Sequence, residues 1–165
     1  MLKNTNAVRS DRVNAAKLDE LDRKLLALMS VDATRSYAEM GKLLNLSPPA
    51  LHERVKRMKS EGVIVGTVVK VHGAKVGRPL LAFIHVDTSS FESVSALKKL
   101  SALPEVEEIH TITGESSLLL KVRTRDTQGL EELLSAIHAI EGIEATKSSI
   151  ALTTYLERGP SPQLS

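Results

Sequence analysis

Residues 36–62, SYAEMGKLLNLSPPALHERVKRMKSEG, decide how the front of this chain folds. They divide into two short helices joined by a tight turn. Ser36 caps the first, which carries Met40, Leu43 and Leu44 on its apolar side. Asn45-Leu46 makes the turn, because asparagine tolerates the left-handed conformation. Ser47 caps the second, with Pro48 at the first helical position. Leu51, Val55 and Met58 follow at i, i+4, i+7 and give that helix one apolar face. Its other face carries His52, Glu53, Lys56, Arg57 and Lys59. Gly62 stops it at the position after the cap. A sharply started amphipathic helix, basic on its outer side and preceded by a short partner, fits the major groove of duplex DNA.

Upstream, Asp19 caps a helix with Leu21, Leu25 and Leu28 in an apolar stripe, so three helices make a small domain over residues 18–62. Residues 1–17 are polar and form an arm. Downstream, VIVGTVVKVHGAKVGRP is β-branched and broken by glycine and proline. It predicts a strand at 64–71 and then a loop, a wing or linker occupying 63–79.

From residue 80 the periodicity alternates. LLAFIHV (80–86) predicts a strand, and Ser89 with Glu92 a capping box opening a helix. VEEIHTI (106–112) and SLLLKVRT (117–124) predict strands around a turn at Gly114-Glu115-Ser116. A helix runs from Thr127 to about Ile140, and ATKSSIALTTYL (145–156) is the last strand. The order β-α-β-β-α-β over 80–156 is ferredoxin-like, and 157–165 is a frayed tail. The fold class is α+β, a winged helix-turn-helix followed by a ferredoxin-like domain. Strand 80–86 is apolar at nearly every position and Leu118, Leu119 and Leu120 stand in a row, as in strands covered on both faces. A second copy with two-fold symmetry supplies the missing layer, so a homodimer is expected.

Composition narrows the class. Of 165 residues, 42% are hydrophobic and 25% charged, ordinary for a soluble domain protein. No apolar run approaches bilayer length, and the first twenty residues lack a secretory core. The chain has no cysteine, which excludes disulfides, Cys-ligated metals and thiolate nucleophiles and makes the cytoplasm the expected compartment. Through Gly62 there are 12 Lys+Arg against 8 Asp+Glu, and from Val63 onward 10 against 12. A basic front and mildly acidic back suit a DNA-binding module joined to a domain with another task. Aromatics are only 2%, which argues against modules that stack single-stranded bases. No serine sits on a nucleophile elbow and no glycine loop cradles phosphate, so neither catalytic residues nor a cofactor are assigned. His85 and His110 could face each other on neighbouring strands, but no further ligand lies at metal spacing.

With these residues in hand, the chain resembles the Lrp/AsnC family, the feast/famine transcriptional regulators. LDELDRKLL, LNLSPPALHERVKRM and EGVIVG match family landmarks in order and spacing, and the likeness runs from about Lys17 to Tyr155. It implies dimers built through the C-terminal domain, often assembled further into tetramers, octamers or hexadecamers. It also implies transcriptional control and small effectors, commonly amino acids. Family effector sites surround a Gly-x-x-Asp turn. Here that turn follows Thr113 and reads Gly114-Glu115-Ser116-Ser117, so a neutral serine stands where the family has its aspartate. Ser148 and Ser149 fall where some members place residues that tune the response.

The expected DNA contacts are Arg35, Ser47, Pro49, His52, Glu53, Lys56 and Arg57. His52 and Glu53 suit base edges, while Lys56, Arg57 and Arg35 suit phosphate. Arg54 could instead brace the domain against an acidic neighbour. Two rival readings remain. Sirohaem decarboxylases resemble the same family, and His85, His110 and Arg123 would be the candidates to bind a tetrapyrrole's carboxylates. A sensing module that has lost DNA binding is the other.

Overall fold

A computed structural model describes residues 16–89 and 94–162. The chain forms two units. One takes in the residues up to Val68 together with those from Arg158, and the other is Val69–Glu157. The division falls inside the stretch read from sequence as wing and linker.

The first unit holds α1 (Glu20–Val31), α2 (Tyr37–Leu44) and α3 (Pro48–Ser60). α1 and α2 each open on a reciprocal capping box, Asp19 with Asp22 and Ser36 with Glu39, so two otherwise unpaired backbone N–H groups are satisfied at each start. Asn45 ends α2 in the left-handed region at φ 53°. At the end of α3 the Gly62 N–H donates to the Lys59 carbonyl and the Val63 N–H to that of Met58. Gly62 has φ 74°, and Val63 packs on the same core as Met58. This is a Schellman stop, and it fixes where α3 ends. Leu25, Met40, Leu51, Val55 and Met58 form the buried centre. Full burial of each large side chain contributes roughly 1.5–3 kcal/mol.

The strand expected at 64–71 does not form. No ladder partner reaches it among the described residues, and Val65, Val68 and Val69 are 93%, 83% and 87% exposed. β-branched composition favours extended backbone, but a strand also needs a neighbour to take its N–H and C=O groups. Only a short 3₁₀ turn, Gly73–Val76, precedes the sheet.

The second unit contains β1 (Leu80–Thr88), α4 (Val94–Leu100), β2 (Val106–Thr111), β3 (Leu118–Thr124), α5 (Thr127–His138) and β4 (Ile143–Ile150). The antiparallel sheet has the order β2-β3-β1-β4, the ferredoxin-like arrangement. The expected capping box at the start of α4 reaches Glu92, outside the described residues. β4 ends at Ile150 rather than running to residue 156. Among the described residues its partner is β1; the last registered pair is Ala82 with Ile150, one further bond runs from the Ala151 N–H to the Leu81 carbonyl, and β1 begins at Leu80, so residues beyond 152 have no rung opposite them. Ala82, Ile84 and Val86 of β1 and Leu118, Leu120 and Val122 of β3 face the helices in one closed core.

The other side of the sheet departs from the expected apolar layer. Leu81, Phe83 and Leu119 lie there beside a charged cluster, because strand alternation also sends Lys121 and Arg123 to that side. His85 and His110 do not sit on adjacent strands, since β3 lies between β1 and β2. Both are registered to Leu119, one on each flank. The tail is not wholly frayed either, for the Arg23 guanidinium donates to the Pro162 carbonyl at 2.9 Å.

Candidate functional site

The turn between α2 and α3 is set by a close approach. The Leu46 N–H donates to the Gly41 carbonyl, and a methyl group at Gly41 would stand 2.5 Å from the Leu46 oxygen. Any side chain there would push the turn open, so glycine fixes the angle at which α3 leaves α2. Ser47 then accepts from the Ala50 N–H at 3.4 Å, a long cap bond supplemented by the two prolines that start α3.

α3 divides sharply by side. Leu51, Val55 and Met58 are buried. On the flank toward α1, Arg54 donates to Asp19 at 2.6 Å and to Asp22 at 2.7 Å, and Arg57 reaches Asp22 at 2.5 Å. Asp22 is only 1% exposed. Burial pushes its carboxyl up, but the hydrogen bonds from Arg57 and Arg54 outweigh that and hold it below the usual aspartate range. Two guanidiniums therefore lock α3 to α1 through one buried carboxylate. Arg54 braces an acidic neighbour, one of the roles its sequence suggested. Arg57, read from sequence as a phosphate contact, is held on Asp22 and also approaches Glu61 at 3.5 Å.

The outward side of α3 is left with Pro49, His52, Glu53, Lys56 and Lys59, all exposed. His52 stands edge-on to the Tyr37 ring of α2 with centroids 5.9 Å apart, which steadies its imidazole. Arg35 lies beside α2 and approaches Asp32 at 3.8 Å. Asp22 and Gly41 were not singled out in the sequence. The spacing Asp19-x-x-Asp22 carried a signal, since a carboxylate at that offset completes a capping box. Gly41 carried none beyond being a glycine inside a helical pattern.

In the second unit the β2–β3 hairpin closes with the Ile112 N–H donating to the Ser117 carbonyl, and the Ser117 N–H donates in turn to Val86 of β1. Thr113, Gly114 and Glu115 are exposed at the tip, with Ser116 and Ser117 partly covered. Gly114 has φ 120° with open space around its α-carbon, so its backbone can be approached closely. Ser148 and Ser149 are also exposed, but they sit on β4 opposite Ile84 and Phe83, away from the hairpin tip and on opposite sides of the sheet from each other. The hairpin residues are brought together, and the serine pair is not part of that cluster.

The open side of the sheet carries the second ionic cluster. Lys121 contacts Glu107, Glu108 and Glu157 at 3.6, 2.9 and 3.2 Å. Arg123 bonds Glu107 at 2.7 Å and His110 bonds Glu108 at 3.0 Å. The Lys121 and His110 hydrogen bonds hold the Glu108 carboxyl below its ordinary range. No group of three or more His, Asp or Glu side chains suited to a metal occurs among the described residues. No helix among them is long and apolar enough to cross a membrane.

Residues 18–59 match the AsnC-type helix-turn-helix domain and residues 81–161 the Lrp/AsnC ligand binding domain. The regulatory protein AsnC of Escherichia coli K12 is 34% identical over 147 residues, covering 88% of this chain and 97% of that protein. The chain belongs to the Lrp/AsnC family. A second relative of this Lrp/AsnC protein, the HTH-type transcriptional regulator FL11 of Pyrococcus furiosus, is 30% identical over 140 residues, 85% of this chain and 93% of its own. Among solved structures, E. coli AsnC superposes with a TM-score of 0.82 at 34% identity, covering 89% of this chain and all of that one. LrpA of Mycobacterium tuberculosis gives 0.76 at 30% identity over 88% of this chain. The two-unit Lrp/AsnC architecture and the helix-turn-helix DNA-binding class are thereby shown, and the protein is a transcriptional regulator of that type. Its relatives are regulators and not enzymes, which decides against the tetrapyrrole reading.

Proposed function

We propose that this regulator reads duplex DNA through the outer side of α3 and answers to a small amino-acid-like effector bound in its second unit. The observation that carries the DNA reading is the division of labour on α3. Arg54 and Arg57 are spent on Asp22, while His52, Glu53, Lys56 and Lys59 face outward with Pro49 and the Ser47 cap at the leading end. His52 and Glu53 meet base edges, and Lys56, Lys59 and Arg35 meet phosphate. Two copies pair through the open side of the sheet around Leu81, Phe83 and Leu119. They present two α3 helices to successive major grooves, roughly 34 Å apart. Further association into an octamer or a similar assembly bends or wraps the DNA. DNA binding of this kind belongs in the cytoplasm.

The effector reading rests on the match to a ligand binding domain over residues 81–161 and on the open Gly114 turn. It is also supported by a relative in fold, the regulator NMB0573 of Neisseria meningitidis, whose structure holds L-methionine. An effector there biases one assembly over another by its differential affinity, typically 1–3 kcal/mol.

The test is selection of binding sites from random duplex DNA by the full-length protein, followed by fluorescence anisotropy on the recovered sequence across a salt series. The expected result is a palindrome-like site, binding by an even number of chains, and affinity that falls steeply with salt. Recovery of no sequence preference, or binding as a single chain, overturns the reading.

A further inference from the structure

Among the described residues, one outward side chain of α3 meets an aromatic ring. His52 stands against Tyr37 with ring centroids 5.9 Å apart and ring planes at 88°, within the range of about 4.5–7 Å in which edge-to-face rings attract. Tyr37 comes from the other helix. It is the first residue of α2, directly after the Ser36 cap, and its ring is half-buried against the core of the helical unit. The capping box of Ser36 and Glu39 fixes the backbone beneath it, so the ring is anchored before anything binds. The imidazole has no such anchor of its own. Its side chain is 60% exposed, and the neighbouring Glu53 carboxylate stands 3.6 Å from Nδ1, beyond hydrogen-bond length. No hydrogen bond holds it among the described residues. A side chain this free samples several rotamers, and ordering it on binding costs affinity and blunts selectivity. A fixed ring beside it narrows the choice in advance.

We propose that Tyr37 is a specificity-determining residue. It positions the His52 imidazole to meet one base edge in the major groove, so α2 and α3 set the base preference at that position together. This rests on the reading of DNA by the outer side of α3 given above and adds a residue outside that helix. Tyr37 acts through His52 and needs no contact with the duplex. Lys56 and Lys59, assigned above to phosphate, offer point charges that tolerate several geometries and need no such support.

The experiment is selection of binding sites by the full-length protein and its variants, with affinity for each of the four bases at every selected position measured by anisotropy. His52→Ala identifies the position that His52 reads. There Tyr37→Leu is expected to lower discrimination roughly three- to tenfold, the worth of one aromatic pair, with the other positions and the salt slope unchanged. Tyr37→Phe keeps the ring and should keep the preference. Added to His52→Ala, Tyr37→Leu should alter the preference no further, because the group it positions is gone. Tyr37→Met is the second variant if leucine unfolds the helical unit, which circular dichroism checks. A ring that serves only the core would weaken binding to all sequences alike on Tyr37→Leu, and a hydroxyl on phosphate would do so on Tyr37→Phe. Either result, or full discrimination at the His52 position in a folded Tyr37→Leu or Tyr37→Met protein, overturns this inference and leaves DNA reading by α3 intact. If His52→Ala alters no position of a clear site, the base-reading role of His52 falls and this inference with it. If wild type selects no sequence at all, the DNA reading falls too.

Discussion

The protein contains two ionic clusters of similar membership and opposite circumstance. In the helical unit one carboxylate, Asp22, is sunk between two guanidiniums and excluded from water. On the sheet, Lys121 is ringed by three glutamates whose side chains are 35–47% exposed. The first is a lock, since removing its centre leaves two cations facing a dry gap. The second keeps its carboxylates in water although Lys121 itself is only 16% exposed, and pairs that water reaches contribute little. The contrast shows where this chain needs rigidity before it meets anything. The angle of α3 is fixed in the free chain, and the sheet's outer side is left adjustable.

The sharpest way to break that contrast is Asp22→Ala. It should destabilise the helical unit by about 2–4 kcal/mol, visible as an early transition in urea followed by circular dichroism. The acid limb follows from the sign of the shift. The folded carboxyl sits below its unfolded value, so the stabilisation is complete above the ordinary aspartate range and drains away as pH falls through the folded value. Asp22→Asn should flatten that limb, and an unchanged acid transition would refute the lock. Gly41→Ala comes next, at about 1–3 kcal/mol, because its methyl group meets the Leu46 carbonyl and no flexible side chain. It should also lower DNA affinity by tilting α3.

Lys56→Ala sharpens the comparison from the outer side of the same helix. Folding should be unaffected, and the slope of log affinity against log salt should fall by about 1, as measured by anisotropy. Arg57→Ala should instead act through stability, with the salt slope of its folded fraction kept. Equal slope changes for both residues would erase the proposed division. The smallest effect belongs to the sheet. Glu108→Gln should change thermal stability by no more than about 1 kcal/mol. Lys121, raised by its Glu108 hydrogen bond, contributes fully below the ordinary lysine range and loses its contribution as pH rises through the folded value. A larger loss would mean that the proposed pairing of two copies dries this cluster as well as the apolar patch beside it.

Much of this was legible in the residues. Ser36, Asn45, Ser47 and Gly62 are local punctuation, and each acts through its own backbone or a neighbour within five positions. The period changes after residue 80 likewise gave the order of strands and helices. What sequence could not show depends on distant partners. The valines at 65–71 look like a strand until one asks what would pair with them. β4 looks longer until its partner β1 is seen to begin at Leu80, which leaves residues beyond 152 without a rung. Arg57 looks free until Asp22, 35 positions away, comes under it. The Ser117 turn was recognisable by likeness, whereas the bond from its N–H to Val86 could be seen only once β1 lay beside the hairpin.

The central strand β1 bears on how the nascent chain matures. It must hold neighbours on both edges, yet both are made later, at residues 118–124 and 143–150. The three helices, by contrast, are complete within the first sixty or so positions and touch mainly one another. Local contacts form quickly and remote ones slowly. During synthesis the groove-reading head is therefore finished first, and the half that would recruit a mate comes together only when the last strand emerges. The pairing between chains proposed above would thereby be deferred until each has its reader in place.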